Sequence, residues 1–212
     1  VVWTQNYIPN PNRYYDNYGN KDDVNFYTKA SYNVTNKLNL FADLQYRMVF
    51  YEATSVKFDD VNDTFRFFNP KAGLNYQLDE KNAFYGYFGI ANKEPRRDDY
   101  ESGAIKPERL FDYELGWKYN TKKVKLYANA FYMRYNDQLV LTGDLNDVGS
   151  PIFTNSGKSY RLGLEVESTI ALTDKLKEGT DYTVTYAIKK DASGKAENKL
   201  GNTVVSSIKY SK

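Results

Sequence analysis

The chain of 212 residues contains no cysteine and no histidine. Without thiols it has no disulfides, no thiolate zinc ligands and no cysteine nucleophile, and without imidazole it has no His-dependent triad and no histidine metal ligand. It also lacks the roughly 18 consecutive apolar residues that a membrane helix needs, and its N-terminus lacks the basic-then-apolar pattern of a signal peptide. A large charge of one sign is missing too. Lys and Arg number 29 against 27 Asp and Glu, a net charge of +2, so nothing in the balance points to nucleic acid. What the chain has in excess is aromatics, 17% of all residues, with 21 Tyr and 12 Phe. Two β-rich classes remain: a soluble sheet protein, or a membrane barrel, whose strands need only about 9 to 11 residues of alternating pattern.

Alternation is clearest from Leu38 to Phe50. Leu38, Leu40, Ala42, Leu44, Tyr46, Met48 and Phe50 share one face, and Asn39, Asp43, Gln45 and Arg47 share the other. The same period sets Phe26, Ala30 and Tyr32 against Lys29 and Ser31, and Leu74 and Tyr76 against Lys71 and Gln77. It continues with Tyr113, Leu115, Trp117 and Tyr119 against Asp112, Glu114 and Lys118, then with Leu162, Leu164 and Val166 against Arg161, Glu165 and Glu167. Ala83 to Ala91 is apolar on both faces, and Tyr127, Phe131 and Met133 stand where polar residues are expected. With weaker strands at Tyr182–Ile188 and Val204–Tyr210, nine strands are expected.

Links alternate in length. Short ones fall at 35–37, 79–82, 120–123 and 173–175, and long polar ones at 52–64, 93–109, 136–159 and 189–203. Tight turns at one end and loops at the other are the pattern of outer-membrane barrels. The apolar faces of the clean strands carry no charge, as a lipid face requires, since Arg or Lys at the midplane costs about 2–4 kcal/mol. A soluble β-sheet binding or adhesion module, with the aromatic faces packed inside, shows the same split. Hairpins recurring about every 40 residues are too far apart for a sandwich, which turns every 8–12 residues or so.

Four runs carry a resemblance: Phe67-Phe68-Asn69-Pro70-Lys71-Ala72-Gly73-Leu74; Ala91 to Tyr100, followed by Lys106-Pro107-Glu108 and Tyr113-Glu114-Leu115-Gly116; Tyr132 to Gly143; and Ser159 to Glu165. In order and spacing they resemble late strands of the barrel of TonB-dependent outer-membrane receptors of the Bacteroidetes type, over roughly residues 14 to 176. The resemblance implies an all-β, antiparallel up-and-down transmembrane barrel, here a partial or open segment of about 8–10 strands. It implies uptake of a scarce nutrient such as a metal chelate, vitamin or glycan across a Gram-negative cell outer membrane. The implied partners are outer-membrane lipid and, in a full-length parent, a plug domain and TonB, with no enzymatic activity, no cofactor and no metal. Residues 1–24 are expected to be a remnant of an extracellular-type loop, 25–176 the barrel strands and 177–212 a divergent C-terminal β-hairpin. With nine strands, no plug-like segment and no terminal aromatic, the chain is expected to be a fragment or a truncated or replaced end, not competent for transport by itself.

The candidate ligand-facing residues are Tyr14, Tyr15, Arg96, Arg97, Asp98, Asp99 and Tyr100, the last five belonging to the densest polar cluster, where a strand rises into a loop. That cluster is equally suited to an internal salt-bridge network at a barrel rim. Asp43, Arg47, Lys71, Glu114, Arg161 and Glu165 are expected to face the lumen. Asp59-Asp60-Val61-Asn62-Asp63 offers oxygen ligands but lacks the glycine and closing glutamate of an EF-hand, so it reads as a solvated loop.

Overall fold

A computed structural model of the protein describes residues 16–56, 58–145, 149–171, 176–190 and 196–210, with side chains described up to residue 171. Nine long strands form one antiparallel sheet in which neighbours in sequence are neighbours in space. These are β1 (Asn17–Asn33), β2 (Leu38–Ser55), β3 (Phe58–Gln77), β4 (Asn82–Lys93), β5 (Glu108–Asn120), β6 (Val124–Asn136), β9 (Lys158–Ala171), β10 (Leu176–Lys190) and β11 (Ala196–Tyr210). A small hairpin of β7 (Leu139–Leu145) and β8 (Pro151–Asn155) interrupts the meander between β6 and β9, and a single helical turn, α1 (Arg97–Glu101), lies between β4 and β5. The expected nine-strand meander is present, with the hairpin as an addition.

The short turns close on their own side chains. Thr35 Oγ1 accepts the N–H groups of Lys37 and Leu38, Asp79 Oδ1 those of Lys81 and Asn82, and Thr121 Oγ1 that of Val124. A short polar side chain at the first turn position thus replaces the strand ladder where the chain reverses. The opposite end differs from the expected loops. Residues 52–64 are mostly paired strand, with Glu52 opposite Asn62 and Ala53 opposite Val61, and only two residues separate β2 from β3. Ala53 is buried and Val61 half-buried, so the alternation of the ladder continues past Phe50. Asp59 to Asp63 therefore lie in strand β3 and not in a solvated loop. Pairing also reaches Asn17, opposite Ser55, inside the stretch expected to be loop.

Register sorts the side chains. One face carries the rows Tyr32, Leu40, Leu74, Gly86, Leu115, Ala130, Leu164 and Ala30, Ala42, Ala72, Phe88, Tyr113, Tyr132, Leu162, each residue directly opposite the next. The other face carries Lys29, Asp43, Lys71, Gly89, Asp112, Met133 and Arg161 in one row. Leu40, Leu44 and Tyr46 are 41%, 43% and 40% exposed. A second sheet packed on the apolar face would bury all three, so the sandwich arrangement is excluded. From Leu38 to Phe50 the apolar face of β2 is free of charge. At about 3.3 Å per residue and a tilt near 40° that run rises roughly 30 Å, enough for an apolar band about 25 Å tall.

The glycine and aromatic residues of the polar face form pairs. Phe41 lies opposite Gly73, Tyr85 opposite Gly116 and Phe131 opposite Gly163. In each pair a Cβ on the glycine would collide with the facing ring. The rings lie flat across the neighbouring strand, filling the space where a glycine leaves its backbone bare. This accounts for Phe131 on the polar side of β6 and for Tyr85 on the polar side of β4.

Candidate functional site

Among the described residues, the most buried part is at the long-loop end of the polar face. After Lys93 the chain turns inward over β1–β3. Glu94 accepts hydrogen bonds from Lys21 Nζ at 2.6 Å and from Nη1 and Nη2 of Arg47, each at 2.8 Å, and Arg47 Nε donates to Asp23 at 3.0 Å. The fork of a guanidinium matches one carboxylate with two parallel bonds, so Arg47 holds both acids at once. Burial raises the Glu94 carboxyl, but the bonds from Arg47 and Lys21 more than reverse this and bring it down to about 2.

Helix α1 follows. Asp99 Oδ2 accepts the N–H of Arg96 at 2.7 Å, closing the first turn, and Gly103 with φ of 74° ends the turn in the left-handed region. Tyr100 stacks on Tyr51 of β2, with centroids 5.6 Å apart, and its hydroxyl donates to Asp63 of β3 at 2.5 Å. Burial, reinforced by the bond to Asp63, pushes the Tyr100 phenol far above its usual range. Beneath this lid, Val49, Ala53 and Phe67 are buried together with Tyr100 and Ala104.

The hairpin β7–β8 clamps the far end of the same segment. Asn155 Nδ2 donates to the carbonyls of Lys106 and Asp137, and its Oδ1 accepts the N–H of Lys106. Glu108 accepts the N–H of Leu139, and the Arg96 guanidinium sits 4.8 Å from the centre of the Phe153 ring.

The five clustered candidates thus divide. Asp99 and Tyr100 are buried: Asp99 closes the first turn of α1 on Arg96, and Tyr100 ties the segment to β2 and β3. Arg96, Arg97 and Asp98 remain exposed, with Arg97 paired to Asp98 at 3.2 Å. Tyr14 and Tyr15 lie outside the described residues. Asp43, Arg47, Lys71, Glu114, Arg161 and Glu165 share the polar face: Asp43 pairs with Lys29 at 3.4 Å, Glu114 accepts from Tyr85 and Asn129, and Arg161 lies 5.2 Å from the Tyr135 ring. Sequence reasoning did not single out Lys21, Asp23 or Tyr51, and read Asp63 as part of a solvated loop; all four are on the polar face at the same end. The period-two signal of β1, continued upward from Lys29, was the available clue. Towards the short turns the same face carries stacked Tyr85 and Tyr127, whose hydroxyls are 2.5 Å apart, with Lys118 Nζ over both rings. Asp112 Oδ1 and Asn129 Oδ1 are buried on this wall without a hydrogen-bond partner among the described residues.

A meander of long tilted strands with one charge-free face and one ion-paired face is the wall of a transmembrane barrel. Residues 3–210 match the family described as TonB dependent receptor-like, beta-barrel. The chain belongs to this receptor family. Its place is accordingly the outer membrane of a Gram-negative cell. Solved structures with the same fold include the copper transporter OprC, with TM-score 0.70, 15% identity, and 88% of this chain and 32% of that one covered. The FrpB iron transporter from Neisseria meningitidis (F5-1 variant) has TM-score 0.69 and 19% identity, with 91% and 31% covered. The siderophore receptor PiuA from Acinetobacter baumannii has TM-score 0.65 and 17% identity, with 86% and 28% covered. The chain therefore spans about a third of the length of these receptors. No curated protein matches it.

Proposed function

We propose that this chain is a wall segment of a receptor that imports a scarce nutrient, a metal chelate, vitamin or glycan, with its polar face lining the lumen and the 94–107 segment forming part of the ligand-facing rim. The carrying observation is the inward fold of that segment, which anchors Asp99 and Tyr100 and leaves Arg96, Arg97 and Asp98 exposed at the long-loop end. Fixed charges on a rigid rim orient a polar ligand with little loss of its own freedom on binding. The partnerless Asp112 and Asn129 atoms on the wall suit a surface completed by a plug domain in the full-length receptor, since buried polar groups are normally paired. Among the described residues, Asp23, Asp43 and Glu94 serve ion pairs and Glu114 accepts hydrogen bonds.

The test is uptake by cells whose only copy of the full-length receptor carries Arg96→Ala, Arg97→Ala and Asp98→Ala, against a panel of ferric chelates, cobalamin and oligosaccharides. The expected outcome is a loss of about tenfold or more in apparent affinity for one ligand class at unchanged receptor abundance, of the order expected for removing charged contacts at about 1.5 kcal/mol or more in sum. Unchanged uptake of every ligand that wild-type cells import would remove the rim from the ligand path.

A further inference from the structure

At its end away from the short turns the apolar face carries charges, Asp22, Glu52 and Arg66 on β1–β3 and, apart from them, a cluster of cations on β5, β6 and β9. Arg109 on β5, Asn136 on β6 and Lys158 on β9 stand directly opposite one another in a row, and in the next row Arg134 stands between Phe111 and Tyr160. All three cations are exposed. With strands about 4.8 Å apart, they occupy a patch roughly 10 Å across. Arg109 donates its Nε to Asn92 and Arg134 lies along the Phe111 ring, but none of the three makes an ion pair among the described residues. The carboxylates of these strands, Glu108, Asp112, Glu114, Glu165 and Glu167, all fall on the opposite face by register. Like charges gathered without a counter-charge repel, and an anion placed among them relieves that repulsion.

Below the cluster the same face is hollowed. Shallow depressions of about 900 and 420 Å³ share Leu74, Gly86, Leu115 and Ala130. Gly86, Ala128 and Ala130 lower the surface between the taller Leu115, Trp117 and Tyr132. The hollow is lined almost wholly by apolar groups and begins at the Tyr113, Tyr132 and Leu162 row, next below the row of Arg134.

We propose that this face holds one phosphate-bearing lipid, its headgroup clamped by Arg109, Arg134 and Lys158 and an acyl chain lying in the hollow beneath. The inference rests on the reading that the apolar face meets the bilayer. Cations at the edge of a barrel's apolar band carry little penalty, unlike those at the midplane, so the site is compatible with membrane insertion. Arg66, another exposed arginine of the same face, lies on β3 outside the cluster and provides an internal control.

The experiment titrates the full-length, delipidated receptor with mixed micelles of phosphatidylglycerol or of phosphatidylcholine and counts bound lipid by native mass spectrometry. Wild type is expected to retain phosphatidylglycerol saturably and more tightly than phosphatidylcholine. The triple variant Arg109→Gln, Arg134→Gln, Lys158→Gln is expected to bind on the order of a hundredfold more weakly, from about fivefold per cation near an anionic surface. Arg66→Gln is expected to bind as wild type. Equal binding by the triple variant, or an equal loss in Arg66→Gln, overturns the clamp. Should the triple variant not fold, Ala130→Phe fills the hollow while keeping the cations: weaker retention supports the site and unchanged retention overturns it. The Leu164→Cys variant, challenged with a maleimide confined to the lipid phase, separates the two readings. Labelling with no headgroup selectivity sinks the clamp alone, and no labelling sinks the lipid-facing assignment with it.

Discussion

Tyr85 and Gly116 show what a single pair contributes to this wall. Gly116 lacks a side chain, and the Tyr85 ring lies over its backbone while the Tyr85 hydroxyl meets Tyr127 and Glu114. Gly116→Val would push the ring off its place, and overpacking of this kind costs about 1–3 kcal/mol. Chemical unfolding of the refolded receptor should show that loss, whereas Gly103→Val, at an exposed positive-φ position, should disturb the rim and leave the wall's stability nearly unchanged. Alternation in Leu38–Phe50 is by itself enough to put Asp43 and Arg47 on the polar side. The aromatic–glycine pairs could not be read so directly, because Phe131 and Gly163 lie far apart in sequence and meet only through the register of β6 and β9. Net charge likewise concealed Arg109, Arg134 and Lys158, since a sum over 212 residues has no geography.

The 94–107 segment behaves as one element, held by an ion network at its start, a buried tyrosine at its centre and Asn155 at its end. Its charge balance gives it a pH limit. Glu94 ordinarily titrates near 4.5 and in the fold near 2, so its contribution is complete above about pH 4.5 and is lost as pH falls from there towards 2. Proteolysis of this segment in the intact receptor should accelerate over that interval, and Glu94→Gln should flatten the dependence. Tyr100→Phe keeps the stack on Tyr51 and removes the bond to Asp63. It is expected to cost about 1 kcal/mol, seen as faster local hydrogen exchange in α1 with the sheet unaffected. Sequence alone marked this stretch as polar and dense but not as inward-folded, because the partners Lys21, Arg47, Tyr51 and Asp63 come from three other strands. The β2–β3 connection misled for a different reason: Asp59, Asp60, Asn62 and Asp63 look like loop, yet they lie in β3, where Asn62 and Asp63 pair with Glu52 and Tyr51.

At the scale of the molecule, β1 and β11 are the two edges of the sheet, and among the described residues no strand pairs with their outer sides. A long edge with open N–H and C=O groups is a template for another strand. The isolated chain should accordingly sediment as aggregates even in detergent, while the full-length receptor, in which the remaining wall satisfies these edges, should run as a single species. The meander order and one orientation were legible from the alternation of turns and loops. Closure was not, since alternation along the chain does not say what pairs with the outer sides of β1 and β11. One further consequence follows from the β2–β3 ladder, whose pairing runs on to Ser55 and Phe58 beyond the charge-free band that ends at Phe50. About five residues of stiff paired ribbon, near 16 Å at 3.3 Å per residue, stand clear of the hydrocarbon there. On a living cell that ribbon is a mast at the surface, held in one shape by its own ladder. It is where an antibody or a phage would find a fixed epitope, and where a short tag inserted at Val56 would report the protein's arrival without touching the wall.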